Sequence, residues 1–291
     1  GTGIIRDQSA CAFRAFAVHR LRARELRPPR PGLNAMDRGN LLHQALEHFW
    51  RHLPDQAALQ ALGDDALAAQ VRRAASHALH NLLRQQPLLL STVGQELEQQ
   101  CLQRALQRWL QHELKRPPFA IVALEQPVLI ELAGLRIGGK IDRIDATELG
   151  EVLIDYKSGQ ASKAKWFPEP RIADPQLPLY ALAMDPPPQA IAFASLAADK
   201  MGFDGLGAID TGIKDVTGIG AGRSKFRDFS DWSELLQDWE QHLHALAADF
   251  LAGKAAVDPR KPADCQYCHL HALCRIHERT ASMEDAEASA S

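Results

Sequence analysis

The sequence predicts an α/β protein in which a helical region precedes a sheet-forming core, and a change in hydrophobic spacing carries that prediction. From Asp37 to about Lys115, apolar residues recur at the three- and four-residue intervals of amphipathic helices. After Pro118 the spacing shortens toward two, which indicates strands whose side chains alternate between two faces. The α/β class is therefore predicted by a helical spacing of apolar residues in one part of the chain and a strand spacing in the next.

The helical region, residues 36–118, is punctuated by Pro54, Pro87 and Pro117. Its clearest segment carries a stripe of large apolar side chains at helical intervals: Leu42, Leu46, Phe49, Trp50 and Leu53. Several short strands then follow between Ile121 and Ile154.

Beyond these strands, Asp174 as N-cap and Pro175 at the first helical position predict a helix that leads into residues 176–184. Residues 191–196 have the composition of a strand. From Lys200 to Arg227 the chain is rich in Gly, Asp and Lys, which suggests strand edges joined by a mobile loop. Residues 230–251 form an amphipathic helix that Gly253 closes.

Composition narrows the class of function. Over 291 residues the net charge is −3, which argues against a protein that coats duplex DNA with a wholly basic surface. Arginines do crowd the N-terminal segment, where they could contact several phosphates or simply solvate a helix: Arg14, Arg20, Arg22, Arg24, Arg27 and Arg30. No apolar run approaches the roughly 20 residues of a membrane helix, so we expect a soluble, cytoplasmic protein. The first residue is glycine, which suggests the cut end of a longer polypeptide.

The most informative stretch is a β-hairpin formed by residues 138–145 and 152–159. If the register is symmetric, Asp142 lies opposite Asp155, Lys140 opposite Lys157 and Ile144 opposite Leu153. Two facing carboxylates can share a hard cation such as Mg²⁺ or Mn²⁺, and Lys157 could orient water or stabilise charge in phosphodiester hydrolysis. A surface hairpin with a cross-strand ion pair is the structural alternative.

The segment Gly-x-x-Asp-Arg-Ile-Asp, followed by an apolar strand that ends Asp-Tyr-Lys-Ser-Gly, resembles the active-site hairpin of the PD-(D/E)XK nuclease superfamily, in its RecB-like branch. A Gly-x-x-x-His motif ending at His43 resembles the branch's metal-assisting histidine, and Gln176 with Tyr180 resembles its Gln-x-x-x-Tyr motif. The resemblance implies catalytic roles for Asp142, Asp155, Lys157, Gln176 and Tyr180, and metal binding by His43, Asp142 and Asp155. Tyr180 as a core aromatic, with Gln176 exposed, is the alternative.

Three further residues bear on this site. Ile141 precedes Asp142 where the family signature often has proline, a position that RecB-like members relax. Glu125, just before the first strand, is a weak additional ligand candidate. Asp145 falls on the opposite strand face from Asp142 and is left out of the site.

Five cysteines without an export signal point to metal or redox chemistry. The spacing Cys265-x-x-Cys268-x5-Cys274 supplies three thiolates, and Cys11 can complete a set of four, whereas Cys101 is expected to be a small buried residue. The arrangement resembles the AddB-type iron-staple nucleases, which implies a 4Fe-4S cluster that joins the two ends of the chain. A four-cysteine zinc site is the alternative, and His269, His271 and His277 lie close enough to be ligands.

Together the resemblances imply a restriction-endonuclease-like core, a mixed β-sheet flanked by helices, in a metal-dependent DNA nuclease of repair or recombination. We expect an exonuclease on DNA ends or single strands, nucleoid-associated, working with a helicase region of the same polypeptide or of a partner, since no Walker-type loop occurs here. A catalytically silent DNA-binding module and an iron-sulfur redox protein are the alternatives. The expected single domain spans 1–278, divided into 1–35 (cluster segment), 36–118 (helical), 119–200 (catalytic core), 201–229 (loop and edge) and 230–278 (helix and cluster segment), before a disordered tail, 279–291.

Overall fold

The computed structural model describes residues 1–26, 32–221, 225–276 and 278. Arg27, Arg30, His277 and the tail 279–291, which the sequence singled out, lie outside these residues. The described helices are α1 (Gly3–Ala10), α2 (Ala12–Ala15), α3 (Ala35–Trp50), α4 (Gln56–Gln60), α5 (Asp64–Gln85), α6 (Thr92–Glu113), α7 (Gln176–Leu182), α8 (Trp232–Leu251) and α9 (His271–Cys274). The strands are β1 (Ala120–Leu132), β2 (Leu135–Thr147), β3 (Gly150–Lys157), β4 (Ala190–Ser195), β5 (Gly202–Gly207) and β6 (Val216–Gly218).

The helical region is confirmed and consists of α3 to α6. Helix α3 starts at a capping box, because Asn34 accepts hydrogen bonds from the amides of Met36 and Asp37 while the Asp37 carboxylate accepts from the Asn34 amide. The predicted apolar stripe is buried, with Leu46, Phe49 and Trp50 almost inaccessible to solvent. The capping box therefore fixes the first residue of α3, the helix that carries His43.

The mixed β-sheet is also confirmed, with strand order β1-β2-β3-β4-β5-β6. The pairs β3–β4 and β5–β6 are parallel and the other neighbours are antiparallel. Instead of several short strands, β1 and β2 are long and form one antiparallel pair. The central strands β3 and β4 are buried on both faces, because helices cover the sheet on each side.

Strands β5 and β6 account for the glycine-rich region in which the sequence suggested strand edges. A Cβ atom at Gly205 would lie 2.5 Å from the Ile191 carbonyl oxygen, so β4 and β5 approach more closely there than any side chain allows. Because glycine has no side chain, the glycines of this region also remove the alternation of apolar and polar side chains from which a strand is usually predicted.

Two helix predictions differ in their outcome. Helix α8 confirms the amphipathic helix, and Asp231 caps it by accepting from the Glu234 amide. The predicted N-cap role of Asp174 is wrong, since α7 begins at Gln176 after Pro175 with no side-chain cap. Asp174 instead lies near Lys157, where its charge acts on the lysine.

The N-terminal segment is bonded to the C-terminal part of the chain. Cys11 and Pro259 form an antiparallel bridge, and the Phe13 amide donates to the Ala256 carbonyl oxygen. The predicted phosphate-binding arginines are divided. Arg14 pairs with a buried acid and Arg20 donates to carbonyl oxygens at the end of α8, whereas Arg22 and Arg24 are exposed.

A buried ionic network lies on the face of β2 that turns away from Asp142. The Arg143 guanidinium is fully buried and bonds Glu113 of α6 at 2.8 Å, Asp145 of β2 and the Tyr156 hydroxyl of β3. Arg116 adds a second buried cation that bonds Glu113 and Asp145. Asp145 is therefore occupied within the network, in agreement with its exclusion from the metal site.

None of the helices in the described residues has the length and apolar character needed to span a bilayer.

We expect the substitution Arg143→Met to lower the free energy of unfolding by about 3–5 kcal/mol, because the buried Glu113 and Asp145 carboxylates then share one buried cation, Arg116, instead of two. Urea denaturation measures the change. Arg136→Met is the matched control on the same strand, where both partners of an ion pair are 70% exposed and the effect should stay below about 1 kcal/mol. Equal destabilisation by both variants would contradict the role of the network.

Candidate metal and active site

The β2–β3 hairpin places the two predicted acids side by side. The pair Ile144 and Leu153 is formed as predicted, and the bonded ladder ends at Arg143 and Ile154. Asp142 and Asp155 are the next pair in this register. Both side chains are buried, and an Asp142 carboxylate oxygen accepts from the Tyr156 amide at 2.8 Å. Asp142 is thus held by a backbone amide of β3.

The predicted pairing of Lys140 with Lys157 is wrong, because β2 leaves β3 beyond this point and continues along β1. There Lys140 lies opposite Pro127, and its ammonium group bonds the Glu125 carboxylate. Lys140 therefore pairs with an acid of β1, whereas Lys157 lies beside Asp155.

Helix α3 and strand β1 bring two more candidate ligands to Asp142. The His43 Nδ1 atom lies 3.3 Å from Asp142 Oδ2. One ligand atom from each of His43, Glu125 and Asp142 lies within 4.8 Å of the others, a spacing that suits a common metal ion. Asp155 is the neighbouring acid in the hairpin rather than a member of this trio.

Glu125 is the residue that sequence reasoning undervalued. It lies inside β1 rather than before it, and the flanking pairs Leu124–Arg143 and Gln126–Ile141 put it opposite Asp142. Its φ of 51° is left-handed, which is uncommon for a residue other than glycine. Such backbone strain concentrates at functional sites. The available sequence signal was an acid on the strand that neighbours the hairpin.

Lys157 is joined to α7 by a chain of polar contacts. Its Nζ lies 2.6 Å from Asp155 Oδ2 and donates to Gln176 Oε1 at 3.3 Å. Gln176 Nε2 lies 3.5 Å from the Tyr180 hydroxyl, which accepts from the Lys140 amide. Tyr180 is thus both a buried aromatic and a polar contact of the hairpin, so the structure combines the two roles that the sequence left open.

The positive side chains of the site do not fully balance the charge of its acids. Burial raises the pKa of Asp155 to about 7, with Lys157 lowering it and Asp142 raising it further. Burial also opposes the charge of Lys157, but Asp155 and Asp174 raise the lysine pKa above its ordinary value. Burial would lower the pKa of His43, yet the hydrogen bond and charge of Asp142 raise it. An added cation would relieve the repulsion between the acids.

The four predicted cysteines meet at one small cavity between the N-terminal segment and the C-terminal part of the chain: Cys11, Cys265, Cys268 and Cys274. Burial raises the pKa of the Cys265 thiol, and the charges of the other three thiols raise it further. His271 also lines this cavity, whereas His269 is exposed.

The expectation that Cys101 is buried is wrong. Its side chain is exposed on α6, because the buried stripe of that helix runs through Leu102, Leu106 and Trp109. Cys101 is therefore separate from the four-thiol group.

A sequence model of the PD-(D/E)XK nuclease superfamily matches residues 5–275. The chain belongs to that superfamily. No curated protein matches this nuclease. A crystal structure of SSO0001 is 12% identical, covers 94% of this chain and 94% of that chain, and has a TM-score of 0.32. That likeness is too low to support a conclusion about fold or function.

The family match makes the nuclease a hydrolase of the PD-(D/E)XK type, a class that uses divalent metals. The trio of His43, Glu125 and Asp142 suits such an ion, since Mg²⁺ and Mn²⁺ favour carboxylate oxygens.

The raised pKa of Asp155 predicts a pH dependence of stability in the metal-free nuclease. The folded state holds this proton more tightly than the unfolded chain, whose aspartates titrate near about 3.9. The contribution is therefore complete below about pH 4 and is lost as pH rises through about 7. Asp155→Asn mimics the protonated acid. Between pH 5 and pH 8 in chelator, urea unfolding should show a larger loss of stability in the wild type than in this variant, and equal losses would contradict the prediction.

Proposed function

We propose that this nuclease hydrolyses DNA with Mg²⁺ or Mn²⁺, as an exonuclease on ends or single strands in DNA repair or recombination. The juxtaposition of Asp142, Asp155 and Lys157 on the hairpin carries the proposal. A silent binding module would be free to lose one of the three, and a redox protein would not need the hairpin. A helicase region in the same polypeptide or a partner subunit would supply the DNA end.

The residues divide the chemistry among them. His43, Glu125, Asp142 and Asp155 would hold the divalent ion, which supplies Lewis-acid polarisation and lowers the pKa of a bound water. The Lys157 ammonium lies beside Asp155, where it can orient the attacking water and stabilise negative charge on the phosphoryl oxygens. Gln176 restricts the lysine by accepting its hydrogen bond.

We expect Lys157→Ala to lower cleavage by at least about 10²-fold, because a charge that acts on the transition state is lost. The assay uses single-stranded and duplex DNA with Mg²⁺ or Mn²⁺. Lys165→Ala, which removes an exposed lysine after β3, is the matched control and should cleave normally. Cleavage at the wild-type rate by Lys157→Ala would exclude the assigned site. DNA binding without cleavage by the wild type would favour the silent module.

The four cysteines are proposed to hold a structural 4Fe-4S cluster. Their shared cavity and the mutual charge effect on Cys265 support a group that binds thiolates. A four-cysteine zinc site is the alternative, because thiolate count alone does not separate zinc from an iron-sulfur cluster. One lone cysteine with an unequal triplet, rather than two Cys-x-x-Cys pairs, favours the cluster.

Cys11→Ser should remove the visible absorbance and most of the iron from anaerobically purified protein, since one of four ligands is lost. Cys101→Ser is the matched control and should retain both, because its thiol lies outside the cavity. Visible spectra and metal analysis provide the measurements. A colourless wild-type protein with stoichiometric zinc would replace the cluster by a zinc site.

A further inference from the structure

A polar groove of about 860 Å³ lies between α3 and α5, outside the metal site. The described residues that line it are all polar or charged, and they include three histidines, His48, His52 and His77. A groove without apolar residues is suited to a charged or strongly hydrated ligand rather than to a lipid or an apolar peptide.

The charge of the groove favours an anion. Arg51 and Arg84 line it, and Glu47 is the one acid among its described lining residues. Glu47 pairs with Arg51 one helical turn away, and Arg84 leaves the groove with a net positive charge. Amide groups, including that of Asn81, add neutral hydrogen-bond donors.

The histidines form a stack along the groove. The rings of His48 and His77 lie 4.2 Å apart between centroids at an interplanar angle of 19°, and the His52 ring follows at 4.8 Å from His48. Burial lowers the pKa of His48, and the neighbouring His77, His52 and Arg51 lower it further, which disfavours its charged form. His48 contacts both other rings, whereas His77 is exposed at one end of the stack and can offer a flat face to a nucleobase.

The ring nitrogens do not converge as they would around a metal ion. His52 Nδ1 contacts the His48 carbonyl oxygen at 2.8 Å, and His77 Nε2 contacts the Asn81 amide at 3.0 Å. In the described part of the chain, the trio that does converge is the one at Asp142. The arrangement therefore favours stacking over metal coordination.

The groove begins beside the metal site. Glu47 follows His43 by four residues on α3, so the two side chains share a helix face. The Lys140 ammonium is held mainly by Glu125, and the charge of Glu47 also reaches it. A strand with a phosphate at the acids could thus continue along α3 into the groove.

We propose that the α3–α5 groove binds the single-stranded DNA that flanks the cleaved bond, with phosphates against Arg51 and Arg84 and a base against the His48–His77 stack. The inference rests on the proposed nuclease function and adds the path of the strand. It also assigns a role to polar residues of the helical region that the hydrolytic site does not use.

The test measures binding of a fluorescent oligothymidylate by anisotropy in the Lys157→Ala background, at pH 8 and several salt concentrations. Arg51→Gln combined with Arg84→Gln should weaken binding about tenfold and reduce the salt slope by about 1.4, since each phosphate contact in single strands contributes about 0.7. His77→Gln should weaken binding about fivefold to tenfold and leave the slope unchanged, because a stacking ring is lost and both guanidinium groups remain.

Arg72→Gln removes the same charge from an exposed position on α5 that does not line the groove, and it should bind like the parent. Groove variants that bind as tightly as this control would overturn the proposal. So would unchanged DNA affinity together with loss of one bound Zn²⁺ in His48→Gln, since the groove would then be a metal site.

A second assay separates this inference from the nuclease proposal. The p-nitrophenyl ester of thymidine 5′-phosphate is too short to reach the groove, so groove variants with Lys157 intact should hydrolyse it like the wild type. Wild-type protein that binds the oligonucleotide but hydrolyses neither ester nor DNA would refute the nuclease function and leave the groove supported. Loss of ester hydrolysis in the groove variants would overturn the groove as a separate binding surface.

Discussion

Arg143 constrains the position of Asp142, because the two adjacent residues project from opposite faces of β2. A buried guanidinium is tolerated only when its charge and donors are matched, and here the partners come from α6, β2 and β3. The Trp50 ring of α3 lies 4.3 Å from the same guanidinium carbon. One buried cation thus ties together the elements that carry His43, Asp142 and Asp155.

The two faces of the hairpin differ in how completely their acids are paired with cations. On the Arg143 face, two arginines match two acids in a permanently closed network. On the other face, burial raises the pKa of Asp155 and the charge of Asp142 raises it further, while Lys157 offsets these effects only in part. The closed face needs no bound metal ion, whereas the open face has room for a cation from solution to balance its acids. Rigidity and reactivity are thereby separated within one strand pair.

Sequence reasoning predicted the features that depend on local pattern. The pairing of Ile144 with Leu153 follows from a hairpin symmetric about its turn, and the spacing of Gln176 and Tyr180 follows from one helical turn. It undervalued Glu125, because the pairing of β1 with β2 that brings this residue opposite Asp142 is a tertiary contact that the local sequence does not reveal. Sequence reasoning also wrongly predicted that Cys101 is buried. Helical periodicity alone did not distinguish this exposed residue from its buried neighbour Leu102. The Arg143 network joins segments that only the tertiary fold brings together.

The meeting of the four cysteines has a consequence for folding. Cys11 is far from the other three thiols in the sequence, and the cavity also needs the bridge between Cys11 and Pro259. A folding intermediate in which the N-terminal segment has not yet paired with residue 259 therefore brings only three of the four thiols together. The complete thiol set forms only when the two segments have closed on each other, so a group bound there would mark a chain that has finished folding.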